Sequence, residues 1–537
     1  MCFSLRVSTC ILFSACCSSA QPSVCSVIST AIESALTPGA QLPVCLGFYG
    51  FPAIAAPGSI IAVRGTGLGP AQVEGNGEFP LRITVAGVSV RLTVGGVAID
   101  AFVLSAQESR VQVMLPSRTP VGEGSLIVTY NGLRSTAYRV QVAERRFQIL
   151  RRGPLSVAQS IGADGAWQTN DFATPARPGQ VMVLWGTGLG AVEGDESAGP
   201  APSPASGAGV EVWFGLVRAR VLYAGRSGCC AGIDQIVVET PAGIEGCSVP
   251  VAVRPFPDDL GGSFASVAVA SRGGCSDPHG VSEPVRQRMA ASGGGKIGFV
   301  VLGQYGWGSD GITGNFKRFG DRFVMPAGTC GYAPAGNSPA PGESVYWDAG
   351  PSLVLNGLSV EWAAPQDFDN FNTDLGSHYE RGFDSGNLDP GRYSIRNGDG
   401  GSGVGAFRID FPILLPAARW TNQSSLDELR RGQDITVTWS AGASDDGYMI
   451  ITGGFLRFTG YPNGYGLGGF TCLERADKGT FTVPGWMIWT DRVAGGESLD
   501  LGLQHYRQQE FAAPGLDYGQ FFHTGKLETH RSKIAGQ

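Results

Sequence analysis

The sequence predicts an all-β chain: two duplicated β-sandwiches followed by a larger C-terminal antiparallel β-sandwich. Three observations predict it. A strand-and-turn unit occurs twice, as Pro57-Gly58-Ser59 running through Ile60–Val63 into Gly65-Thr66-Gly67-Leu68-Gly69, and again as Pro178-Gly179-Gln180 running through Val181–Leu184 into Gly186-Thr187-Gly188-Leu189-Gly190. An internal copy of such a unit points to tandem β-modules. Gly makes up 81 of 537 residues while only 16% are charged, against a usual ~25%. That balance suits short strands joined by tight turns. Finally, most apolar runs alternate with polar residues, the period of two that a half-buried strand requires.

The first module spans 48–143. Its expected strands after the opening one are 81–85, 89–94, 100–105, 110–116, 124–130 and 137–142, with Asn131-Gly132 as a hairpin turn. Six or seven strands in so short a span suit an immunoglobulin-like sandwich. The second module, 144–272, repeats the order. Gly215–Tyr223 answers Gly96–Leu104, and Gln235–Pro241 answers Arg110–Pro116, with offsets that drift by a few residues as loop insertions require. Pro200–Ala208 reads as an exposed loop. A linker follows at 273–290, with Pro284–Ala291 expected as a short helix. The C-terminal unit, 291–537, holds seven of the ten Trp and strand-like runs at 344–347, 352–355, 392–395, 406–409, 435–439, 448–451, 480–483, 487–489 and 499–503. The final stretch of about fifteen residues, charged and aperiodic, reads as a frayed tail.

Residues 1–20 read as an export signal. Arg6 is the only charge before Ala20, a short apolar run follows it, and Ser18-Ser19-Ala20 supplies small residues for cleavage before Gln21. Phe13-Ser14-Ala15-Cys16 offers a lipid-anchor alternative, and a buried first strand is a third reading. No later run reaches the ~18 apolar residues of a membrane span. Residues 21–47 form a lead segment in which Val27–Leu36 would make a helical turn or two. Beyond position 20 the cysteines are Cys25, Cys45, Cys229, Cys230, Cys247, Cys275, Cys330 and Cys472, an even set that reads as disulfides in an exported chain. Proximity favours Cys25 with Cys45 and Cys330 with Cys472, leaving Cys229, Cys230, Cys247 and Cys275 for two bridges. No pair has the Cys-x2-Cys spacing of common zinc sites.

Pro57-Gly58-Ser59 with Gly65-Thr66-Gly67-Leu68-Gly69, then Val111–Pro116, then Gly122-x-Gly124-x-Leu126-x-Val128, resembles the IPT/TIG domain. The duplicated pair, about 48–272, resembles tandem IPT/TIG-like modules of a bacterial secreted family of uncharacterised function. Asp348-Ala349-Gly350, Asp389-Pro390-Gly391-x-Tyr393, Trp420-Thr421-Asn422 and Gly479–Pro484 resemble a β-domain that often follows those modules. The resemblance implies immunoglobulin-like sandwiches used as spacers or interaction platforms. It carries no site residues, because one sandwich hosts many functions.

Chemistry is sparse. All five His fall at or after position 279, so neither module can hold a Ser-His-Asp or Cys-His arrangement. No Gly-x-Ser-x-Gly elbow or His-x-x-x-His spacing accompanies the later ones, and His378, His505, His523 and His530 read as surface or turn residues. Glu361, Asp367 and Asp369 could supply a glycosidase carboxylate pair. Asp367, Asp369 and Asp374 crowd oxygen ligands that calcium could use, and Asn397–Gly401 and Asp445-Asp446-Gly447 are two further acidic turns, although Asx turns explain all three. Gly65-Thr66-Gly67-Leu68-Gly69 superficially matches a dinucleotide fingerprint but lacks the following helix, so it reads as a strand-connecting turn. With a net charge of −7 and no Lys/Arg cluster, a nucleic-acid surface is not expected. Tyr305, Trp307, Tyr461 and Tyr465 lie in glycine-rich settings where a flat ring could face a sugar.

The reading is therefore a secreted or cell-envelope, non-catalytic protein with no cofactor other than a possible calcium ion. The duplicated modules form a stalk or platform, and the C-terminal unit recognises a polysaccharide or a cell-surface partner. A carbohydrate-active hydrolase and a spacer without ligand are the alternatives.

Overall fold

The computed structural model describes residues 21–29, 53–152, 155–162, 165–204, 209–254, 263–276, 282–291, 295–304, 310–319, 325–332, 347–356, 358–363, 378–383, 391–413, 418–430, 432–441, 446–458, 465–487 and 498–535. The chain is all-β, and its largely antiparallel strands are arranged around several apolar cores.

The first sandwich pairs two sheets. One is four-stranded, in the order Ser23–Ser29, Ile60–Thr66, Arg110–Met114, Phe102–Gln107. The other is seven-stranded and centres on Val88–Val94, Gly122–Tyr130 and Tyr138–Val142. Alternation does the work: along Val88–Val94 the four valine and leucine positions are buried while Arg91 and Thr93 are exposed. They meet Val63, Val111 and Val113 of the facing sheet in one core. Asn131 and Gly132 turn the chain with φ of 47° and 83°, and Leu133–Arg134 pairs back on Tyr130 and Thr129. Both positive values suit an Asn-Gly pair in a hairpin turn.

The second sandwich is a single twelve-stranded sheet folded on itself. Its pivot is the ten-residue strand Val217–Arg226. The start of that strand pairs with Glu211–Phe214. From Arg220 onward it pairs with Asp234–Glu239, with a bulge between Val221 and Tyr223, so one strand serves both layers. Leu184, Ile236 and Val238 face Val212, Val249 and Val251 across the core. In both copies of the repeated turn a glycine permits close approach. A Cβ on Gly65 would strike the Ser23 carbonyl, and one on Gly186 would strike the Phe147 ring.

The C-terminal region forms a fourteen-stranded sheet with a three-stranded companion. Two cores flank it. One is gathered around Leu499, Leu501, Leu503, Ile451 and Trp439, the other around Phe407, Ile409, Phe411, Phe511 and Phe521. Gly295–Gln304 runs parallel to Tyr518–Thr524 within this otherwise mostly antiparallel sheet. The helix expected at Pro284–Ala291 forms as Glu283–Ala291.

Three expectations are corrected. Ser23–Ser29 is a strand on Ile60–Thr66, so the start of the lead segment belongs to the first sheet rather than to a helix; a short apolar run carries no period that separates the two. The tail is not frayed as far as Ala535. Glu528–Ala535 pairs antiparallel with Ser498–Leu503 and parallel with Glu428–Arg430. Met487, the expected start of a strand over 487–489, instead closes the 3-10 turn Gly485–Met487, and 488–489 lie outside the described residues. The Pro200–Ala208 loop is exposed at Pro202 and Pro204, with Ser203–Pro204 pairing with Gly225–Arg226, and 205–208 lie outside the described residues.

Among the described residues, three disulfides join Cys330 to Cys472, Cys247 to Cys275, and the adjacent Cys229 and Cys230. Cys25 is also disulfide-bonded. Cys45 lies outside the described residues.

Candidate functional site

The site follows from one strand. Ser498–Phe511 is fourteen residues long, and its odd-numbered positions share one face. That face begins Leu499, Leu501, Leu503, inside one C-terminal core, and ends at Phe511, inside the other. Between them it presents His505, Arg507 and Gln509. An inward face that turns polar between two apolar cores leaves groups that want hydrogen bonds where packing would otherwise continue. A cleft of about 410 Å³ opens there, lined by Phe411, Pro412, Asp446, Tyr448, Arg507, Gln508, Gln509, Phe521 and His523.

Neighbouring strands fix its walls. Arg507 is paired with His523, and Gln509 with Phe521, on Tyr518–Thr524. The Phe411 ring lies 4.5 Å from Phe521 and 6.2 Å from His523, centroid to centroid. Tyr448 stands at the start of its strand, its ring 5.5 Å from Tyr506. Gln509 donates from Nε2 to the Asp410 carbonyl at 3.2 Å, and Gln508 accepts from Gln520 at 3.0 Å.

Electrostatically the cleft holds a fixed cation and a neutral imidazole. Burial pushes the His523 imidazole down to about 4, helped by the neighbouring His505 and Arg507. Near neutral pH it therefore offers one N–H donor and one acceptor nitrogen. Burial also raises the Tyr448 phenol, which stays a neutral hydroxyl. Arg507 faces the Asp446 carboxylate at 3.4 Å, and the Asp446 side chain is 85% exposed. Among the described residues of the lining, Asp446 is the sole carboxylate, and no Ser, Thr or Cys joins it. This arrangement can bind, with aromatic walls and directed amide, imidazole and guanidinium groups. The two facing acids of glycoside hydrolysis are not both in it.

A smaller cleft, about 280 Å³, lies where the two duplicated sandwiches meet, lined by Phe102, Pro116, Ser117, Arg118, Val192, Gly194, Asp195 and Glu196. Many of its polar groups are engaged in joining the sandwiches. Arg226 donates to Asp234 at 2.8 Å, to Glu196 at 2.7 Å and to the Gly58 carbonyl at 3.2 Å. Asp234 also accepts from the Gly188 and Leu189 amides at 2.7 Å each, and Glu196 accepts from the Ser117 amide at 2.7 Å. The Ile60 amide donates to Thr187 Oγ1 at 2.9 Å, and Val192 donates to Ser117 Oγ at 2.9 Å. Burial acts to lower the Arg226 guanidinium, but Asp234 and Glu196 hold it above its ordinary value. Both copies of the repeated motif thus enter this seam: the first turn supplies the Gly58 carbonyl, and the second supplies Thr187, Gly188 and Leu189.

The residues singled out in the sequence fare differently. Tyr305, Trp307, Tyr461, Asp367, Asp369 and Asp374 lie outside the described residues. Tyr465 and Glu361 sit on the strands Tyr465–Arg475 and Leu358–Ala363. The histidines are not turn residues: His378, His505, His523 and His530 all lie on strands, and His505, His523 and His530 are partly buried. The Asn397–Gly401 turn is tied by its own amide, which donates to the Ala349 and Gly405 carbonyls and accepts from the Phe407 amide. Among the described residues no group of three or more His, Cys, Asp or Glu could hold a metal ion. Arg507, Gln509 and Phe411 were missed. The signal was present in the alternation from Leu499 to Phe511, which changes character midway without losing its period.

No family model matches the chain, and no curated protein matches it. Among solved structures it is similar to SGBP-B of the Bacteroides ovatus mixed-linkage glucan utilization locus, solved with a mixed-linkage heptasaccharide, at 9% identity and a TM-score of 0.14, covering 87% of this chain and 97% of that one. It is similar to SGBP-B from a complex xyloglucan utilization locus of Bacteroides uniformis at 12% identity and a TM-score of 0.16, covering 95% and 100%. Escherichia coli alpha-2-macroglobulin shows 11% identity and a TM-score of 0.14, over 96% of this chain and 28% of that one. Likeness at this level assigns no residue and no ligand. Among the described residues, no helix is long and apolar enough to cross a membrane.

Proposed function

We propose that this is a secreted or cell-surface, non-catalytic binding protein that recognises a glycan in the cleft between the two C-terminal cores. The duplicated sandwiches, 48–143 and 144–272, are IPT/TIG-like and act as a stalk or platform. The stretch 273–290 links them to the recognition unit, 291–537. The observation that carries this reading is the inward face of Ser498–Phe511, where His505, Arg507 and Gln509 interrupt an apolar run beside aromatic walls. Aromatic surface with a few convergent polar groups is what a polyhydroxylated ligand needs. The disulfides fit an oxidising compartment outside the cytosol.

The test is a glycan array probed with the intact protein and with a variant whose cleft is filled, Gln509→Leu with His523→Phe. The array includes mixed-linkage glucan and xyloglucan alongside acidic polymers. Binding that the filled variant loses supports the proposal. No binding by the intact protein, or equal binding by both, overturns it.

A further inference from the structure

We infer that the cleft selects acidic sugars: the carboxylate of a uronate residue takes the place of Asp446 on Arg507. The inference rests on the glycan-binding reading above and specifies its substrate class. Its basis is that Arg507 already faces a carboxylate in the structure, and faces it under conditions that favour exchange. The guanidinium is 24% exposed at the cleft, while its partner is 85% exposed at a separation of 3.4 Å. An ion pair so open to water is weakly held. A ligand carboxylate arriving inside the cleft would be shielded by Phe411, Phe521 and Tyr448, and a charge-assisted contact strengthens as water is excluded.

The surroundings suit an acidic sugar ring rather than a bare anion. His523 is paired with Arg507 across adjacent strands, and Gln509 follows two residues later on the same face. Both can hydrogen-bond ring hydroxyls while the guanidinium holds the acid. Arg507 is the only Lys or Arg among the described residues of the lining, and the whole chain carries a net charge of −7. Attraction is therefore local, so selection would act on the placement of one carboxylate and not on polymer charge in general.

The experiment is calorimetric titration of the full-length protein with three probes: an oligogalacturonate, the same oligomer after carboxyl reduction, and a sulfated galactan oligomer. Wild type, Arg507→Gln and Asp446→Asn are compared. The expected result is binding of the uronate at least about tenfold tighter than its reduced form, a similar loss in Arg507→Gln, and affinity in Asp446→Asn equal to or above wild type. Equal binding of uronate and reduced oligomer, or weaker uronate binding in Asp446→Asn, overturns the inference while the glycan-binding reading stands. Preference for the sulfated probe overturns the carboxylate assignment. No binding of any probe, together with a blank array, overturns both.

Discussion

Arg226 and Arg507 each face carboxylate oxygen, and the two settings differ in almost every other respect. Arg226 is 3% exposed and meets Asp234 and Glu196, themselves 1% and 7% exposed. Arg507 meets the Asp446 carboxylate, which is almost wholly in water. In the first setting every charge is committed to holding backbone: the Gly58 carbonyl and the amides of Ser117, Gly188 and Leu189. In the second the carboxylate keeps most of its water and can leave. Burial separates the two, because a desolvated charge cannot give up its partner without large cost while a solvated one can.

That contrast can be broken by mutation. Arg226→Ala strands two buried carboxylates and should lower stability by about 3–5 kcal/mol, measured as a drop in urea midpoint. A loss below ~1 kcal/mol would mean that water reaches the seam and the contrast is false. His523 should give the next largest effect, through pH. Its imidazole sits at about 4 in the folded protein against an ordinary 6.5, so between these values the unfolded chain takes up a proton that the folded one refuses. Stability should therefore fall as pH drops from about 6.5 toward 4, by up to roughly 1–3 kcal/mol. His523→Gln should flatten that slope in urea titrations at pH 7 and 4.5. Arg507→Ala should cost no more than about 1 kcal/mol of stability, yet weaken uronate binding about tenfold. Arg91→Ala, which removes a surface pair with Asp100 in the first sandwich, should cost only about 0.2–1 kcal/mol and leave binding intact.

The same difference explains what could be read beforehand. Val88–Val94 was legible because each inward side chain is apolar and each outward one is polar or charged in strict turn. Glu528–Ala535 was not, because it offers no apolar alternation: Ser532 is fully buried, Ile534 packs partly against a core, and charged residues fill much of the remainder. The cleft escaped for a related reason. His505 and Arg507 look like surface residues until Leu499–Leu503 and Phe511 are known to lie in two different cores on one strand. The seam was half legible. Its repeated motif was visible, but nothing local to Arg226 or Glu196 announces a contact with Gly58 or Ser117 far away in the chain.

The strand Val217–Arg226 links folding across the duplication. It closes both layers of the second sandwich, and its last residue clasps the Gly58 carbonyl of the first. Loss of that strand would dismantle one repeat and unlatch the other in the same event. Tandem copies on independent tethers would melt in two steps; these two should melt in one.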